Sequence, residues 1–222
     1  MDGQLNRPSY IAFDGDDNLL VTDSLNHRVQ RFTKDGRFLA KWGSPGQMPG
    51  QFDHPWGIAV DGQGDVYVSD WRNDRIQKFS PDGSFLAQWG ESGEGDGQLN
   101  RPAGLAVDPN GNIFVADWGN ERVQVFHSDG TPMTNLRGES VDSTWAADYF
   151  AANPDEGNAR LEADLEPKIT PRPYRDWEQR REESANIEKL FWGPTAVKLD
   201  SQGRIYVVDS LRQRLQVYQW ED

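Results

Sequence analysis

The 222-residue chain contains no cysteine, so disulfides and thiolate-ligated zinc are excluded. Histidine is scarce as well: His27, His54 and His127 are the complete set. No apolar run approaches the ~18 residues that a membrane-spanning helix needs. The N-terminus, MDGQLNRPSY, lacks the basic-then-apolar order of an export signal. The chain therefore reads as soluble with no signal peptide, and its compartment stays unassigned, because a cysteine-free protein suits any redox environment. Basic residues are outnumbered, 23 Lys/Arg against 36 Asp/Glu, for a net charge of −13. Residues 138–193 carry 13 acidic and 7 basic side chains, and the remainder carries 23 and 16. Both parts are acidic, which argues against a partner with a phosphate backbone and against a membrane surface.

What is abundant is repetition. VTDSLNHRVQRF (21–32), VSDWRNDRIQKF (68–79), VADWGNERVQVF (115–126) and VVDSLRQRLQVY (207–218) align without a gap. Asp23, Asp70, Asp117 and Asp209 step by 47, 47 and 92 residues, as do Arg28, Arg75, Arg122 and Arg214. A catalytic site is normally needed once, so a fourfold Asp-x4-Arg frame reads as scaffold. Specificity must then lie in residues that differ between copies.

The second copy, PWGIAVDGQGDVYVSDWRNDRIQKFSPDGSFLAQWG, holds four short runs rich in β-branched and aromatic residues, separated by DGQG and SPDG turn signals. Its second run is apolar on both faces, as expected of a sheet packed between sheets. Four antiparallel strands per unit at this period predict the blades of an all-β propeller. The residues Pro-x-Gly-Ile-Ala-Val-Asp (55–61), Tyr-Val-Ser-Asp (67–70), Asn73-x-Arg75-Ile76-Gln77 and Phe85-Leu86-x2-Trp89-Gly90 resemble the NHL-repeat family. The resemblance covers residues 1–137 and 194–220. It implies the propeller fold strongly and function weakly, since relatives include protein- and RNA-binding modules, sensor domains and propeller lyases and lactonases. Relatives commonly have about six blades, whereas four are legible here, and the last stops after LQVYQW without an outer strand. The chain thus reads as part of a larger ring, as a truncated gene product, or as one that completes its ring by self-association.

The organisation expected is one propeller: blades 1–3 over residues 1–137, an insertion over 138–193, and an incomplete blade 4 over 194–222. Asn153-Pro154-Asp155-Glu156 is a helix start, and Trp177, Ser184, Ile187 and Phe191 fall near one face at helical spacing, so the insertion reads as mostly helical. It replaces a connector between blades. If the strands of a blade are a to d, these connectors and the b–c loops emerge on one face. The b–c loops, SLNH, WRND, WGNE and SLRQ, are where the copies differ.

The candidate binding residues are therefore Trp71, Arg72, Asn73, Trp118 and Asn120, with Trp145 and Trp177 from the insertion. The expected activity is non-enzymatic binding of a protein, peptide or polysaccharide; the tryptophans could equally bury one another. No catalytic or metal residue and no cofactor is assigned. A metal-dependent lyase or lactonase working at the axis is the alternative, with calcium or zinc as the ions to consider. Only His27 and His54 share the loop face, and both would need a carboxylate to hold zinc. DGDDN (14–18) looks like a calcium loop, but its aligned copies DGQGD, DPNGN and DSQGR are ordinary turns.

Overall fold

The computed structural model describes residues 1–138, 149–162 and 190–219. They form a β-propeller arc of four blades. Blade 1 contains β1 (Pro8–Phe13), β2 (Leu19–Asp23), β3 (Arg28–Phe32) and β4 (Phe38–Trp42). Blade 2 contains β5 (Pro55–Val60), β6 (Val66–Asp70), β7 (Arg75–Phe79) and β8 (Phe85–Trp89). Blade 3 contains β9 (Pro102–Val107), β10 (Ile113–Asp117), β11 (Arg122–Phe126) and β12 (Pro132–Leu136). Blade 4 has three strands, β13 (Pro194–Leu199), β14 (Arg204–Asp209) and β15 (Arg214–Gln219). Every blade is a simple antiparallel meander, so the connections are short and local. Helix α1 (Pro154–Glu162) opens at its proline, with Asp155 and Glu156 in the first turn. The Asn153 side chain does not cap it; its amide donates to the Tyr149 carbonyl at 2.8 Å. Among the described residues no helix is long and apolar enough to cross a membrane.

The core lies between blades. Leu20, Val29, Phe52, Ile58, Val68 and Phe79 fill the first junction, and Tyr67, Ile76, Leu99, Leu105, Val115 and Phe126 the second. Phe114, Val123, Val125, Phe191, Val197 and Val207 fill the third. Apolar residues on both faces of the second strand of blades 2 and 3 are required by this stacking. The inner strands approach closely: a Cβ on Gly57 would fall against the Ala103 carbonyl and 3.0 Å from the Gly104 Cα. Hydroxyls staple one blade to the next, Ser24 Oγ donating to Pro55 O (2.5 Å) and Ser69 Oγ to Ala103 O (2.5 Å).

Among the described residues, two blade faces of the arc lack a neighbour. Ile11 on β1 is 52% exposed, whereas its counterparts Ile58, Leu105 and Val197 are fully buried. Leu215 on β15 is 56% exposed, whereas Val29, Ile76 and Val123 are at most 1% exposed. Phe191 belongs to the repeat, not to a helical face of the insertion. It is buried at the third junction beside Tyr218, in the place that Phe52 and Leu99 hold at the other two. Trp145, Trp177, Ser184 and Ile187 lie outside the described residues.

Candidate functional site

The Asp-x4-Arg frame builds the loop face. Asp70 is fully buried; its Oδ1 accepts the Asp53 N–H (2.7 Å), and its Oδ2 accepts from Asn73, Arg75 and Gln77 at 2.8, 2.9 and 3.1 Å. Arg75 then donates to the carbonyls of Gln47, Met48 and Gln51 at 2.7, 3.1 and 2.9 Å. One ion pair thus ties the b–c loop, strand β7 and the incoming connector together. The other blades repeat the arrangement: Asp23, Asp117 and Asp209 accept the backbone N–H of Asn6, Asn100 and Trp192, and each pairs with its own arginine. Burial pushes the Asp70 carboxyl above the usual carboxylate range and Asp117 up to about 6, against the pull of the arginine and the donors around each.

Backbone bonds join loop and connector directly. Trp71 N–H donates to His54 O (3.3 Å), Arg72 N–H to Asp53 O (3.1 Å) and Gly119 N–H to Asn100 O (2.8 Å). Loops and connectors therefore share one face, and the connector before blade 4 joins them through Ser210 N–H on Gly193 O (3.1 Å). Each b–c loop ends on a left-handed residue, His27, Asp74, Glu121 or Gln213, with φ between 51° and 53°. The connectors end on left-handed Arg7, His54 and Arg101, and on Gly193 before blade 4. Left-handed φ is uncommon for residues other than glycine, and the frame holds it here through the paired N–H groups.

On this backbone the copy-specific side chains form a ladder. The Trp56 and Trp71 rings lie 5.7 Å apart, inclined at 32°. The Arg101 guanidinium lies 5.3 Å from the Trp71 ring and 6.0 Å from the Trp118 ring, bridging blades 2 and 3. Arg72 lies 5.9 Å from Trp71 on its exposed flank. Trp56 lies in the register shift between Pro55 and Ile58, one that recurs after the opening proline of every blade. Such cation–π contacts, made by exposed arginines to half-buried rings, are worth about 0.5–1 kcal/mol each. Trp118 continues toward blade 4, where its Nε1 and the Leu211 side chain flank Gly193.

Trp71, Arg72 and Trp118 are thus brought together. Asn73 and Asn120 are held differently: their amides donate to Asp70 and Asp117 and to the carbonyls of Gly46 and Gly93, and Asn120 is 4% exposed. They belong to the frame, and their recurrence as Asn26 in blade 1 is the signal for it. Trp56 and Arg101 escaped sequence reasoning, although both occupy positions that vary between copies: Ser9, Ala103 and Thr195 in one case, Arg7, His54 and Gly193 in the other. His27 and His54 meet edge to face, ring centroids 4.9 Å apart, with Asp53 beside both. DGDDN is a turn, Asp14 Oδ1 accepting the N–H groups of Asp16 and Asn18 at 2.9 Å, just as Asp61 and Asp200 do in their copies.

Four blades, the Asp–Arg–Gln frame and the loop-to-connector pairing define a repeat-built propeller. The NHL repeat matches residues 5–32, 52–79, 99–126 and 191–218, and the chain belongs to the NHL-repeat family. Similar proteins include Protein brain tumor of Drosophila melanogaster, 40% identical over 47 residues. Another is the B-box type zinc finger protein ncl-1 of Caenorhabditis elegans, 47% identical over 38 residues. These matches take in 21% and 17% of this chain and 4% of each relative. Among solved structures, a streptogramin B lyase aligns over 96% of this chain and 54% of its own, with a TM-score of 0.55 at 14% identity. A Bacteroides caccae protein of unknown function aligns over 91% and 56%, with a TM-score of 0.56 at 11% identity. Likeness at that level of identity concerns the fold alone.

Proposed function

We propose that the chain is a non-enzymatic binding scaffold that captures a protein, peptide or polysaccharide partner through the face bearing the b–c loops. The observation that carries this reading is the ladder Trp56–Trp71–Arg101–Trp118. It gathers copy-specific aromatic and guanidinium groups on a backbone fixed by other residues. Tryptophan and arginine dominate binding energy at interfaces because they combine apolar area with directed polar contacts. Arg72 and Arg101 place positive charge on this ridge of an otherwise acidic chain, which favours a partner segment carrying carboxylates beside aromatic or aliphatic side chains.

The test is alanine at Trp71 and at Trp118, scored by capture of partner from a lysate and by the thermal midpoint. The expected result is at least tenfold weaker capture with the midpoint nearly unchanged. Undiminished capture by the double variant would overturn the assignment of this face. The end faces around Ile11 and Leu215, exposed among the described residues, favour a second, compatible reading, association of copies through blades 1 and 4.

A further inference from the structure

We propose that His27, Asp53 and His54 form a binding site for a divalent transition-metal ion, zinc or one of similar ligand preference. One nitrogen from each imidazole and one Asp53 oxygen lie within 4.8 Å of one another. Asp53 Oδ1 is 2.6 Å from His54 Nδ1 and 3.6 Å from His27 Nδ1. All three side chains are half-buried, between 20% and 38% exposed, so they are neither free in solvent nor sealed from an entering ion. Tetrahedral zinc with nitrogen ligands at 2.0–2.1 Å needs ligand atoms about 3.3 Å apart, a distance that the two Asp53–histidine separations of 2.6 and 3.6 Å bracket. His27 Nδ1 lies 3.2 Å from the Phe52 carbonyl and 3.3 Å from the His54 N–H, backbone contacts that it gives up where it turns to the ion.

The repeat shows how little of this set the fold itself uses: the loop-end side chain accepts the last connector N–H, His27 Nδ1 from His54 at 3.3 Å and Asp74 Oδ1 from Arg101 at 2.7 Å. At the second junction the corresponding residues are Asp74, Asn100 and Arg101, and at the third they are Glu121, Trp192 and Gly193. The left-handed backbone and the bond from the connector N–H to the buried aspartate persist at all three. Two imidazoles and a carboxylate therefore converge where the scaffold demands only an acceptor at the loop end, which an aspartate supplies as well. With neutral imidazoles the set carries one negative charge, complementary to a dication, and His and Asp are ligands that zinc accepts together. Three protein ligands leave a coordination position for water or for a group supplied by a partner.

Metal-free full-length chain is titrated with Co²⁺, followed by its visible absorption, and with Zn²⁺, followed by calorimetry. The variants are D53N, H54R and H27D, each installing the residue that the second junction already carries, together with H127N as a control. One ion per chain is expected, with affinity at least tenfold weaker in each of the three variants and unchanged in H127N. Zn²⁺ should raise the thermal midpoint of the wild type and leave that of H54R unmoved, while the metal-free midpoints agree. Absence of binding at millimolar Zn²⁺, or equal binding by wild type and H54R, would overturn the site. Partner capture repeated with and without chelator separates this proposal from the ladder, because Trp71→Ala removes the ladder and keeps all three metal-binding side chains.

Discussion

Replacing Arg75 by alanine removes the cation from a fully buried carboxylate. Arg75 is 7% exposed and makes five hydrogen bonds: to Asp70 Oδ2, to the carbonyls of Gln47, Met48 and Gln51, and to Gln88 Oε1. Breaking one side of such a pair costs about 3–5 kcal/mol, because the remaining charge is left without compensation. That is a large share of the roughly 5–15 kcal/mol available to a domain. The repeat supplies an internal control. Arg214 makes the equivalent pair with Asp209 but is 24% exposed, so water replaces much of what alanine removes. We expect R214A to cost about 1–2 kcal/mol, and R75K to fall between, since lysine keeps the charge but cannot fork between Asp70 and the connector. Urea unfolding followed by tryptophan fluorescence and far-ultraviolet circular dichroism measures all three, using the range where the two probes coincide. Equal costs for R75A and R214A, or an R75A cost below about 1 kcal/mol, would refute the view that buried frames hold this face together.

Packing at the inner strands gives a second expectation. G57A drives a methyl group against the Ala103 carbonyl and Gly104, and should destabilise by about 1–3 kcal/mol, whereas G62A, at a site with open space around it, should stay within about 0.5 kcal/mol. The end faces give a third. If copies associate through blades 1 and 4, I11E and L215E should each abolish growth of solution mass with concentration. L86E, on the outer strand of blade 2, should not, and light scattering behind a sizing column decides.

The fold was legible because one phase runs through the whole chain. Once Asp23, Asp70, Asp117 and Asp209 are aligned, the strands and turns follow from position alone. The same phase was enough to demote the Asp–Arg pair from site to scaffold. The ladder was not legible, because its rungs are 15, 30 and 17 residues apart in sequence and meet only across a junction. Trp56 sits in the register shift that follows the opening proline of every blade, so its place was marked by the repeat and only its ring contact with Trp71 was not. Phe191 was read by its helical spacing to Trp177, although its step of 92 residues from Leu99 places it in the repeat. His27 and His54 were expected on one face; that Asp53 turns toward both depends on two left-handed residues whose φ the sequence does not reveal.

Those left-handed residues make the junctions interchangeable sockets. The first two present three side chains on the same backbone and the third two, since it ends on Gly193; they are drawn from a loop end and the last two connector positions, and each is clamped by the buried Asp–Arg frame. A chain built this way can rewrite one socket without renegotiating its neighbours, so its surface evolves like a row of independent letters. Moving His, Asp and His to positions 74, 100 and 101 should transfer whatever the first socket holds to the next blade, leaving the propeller itself unaltered.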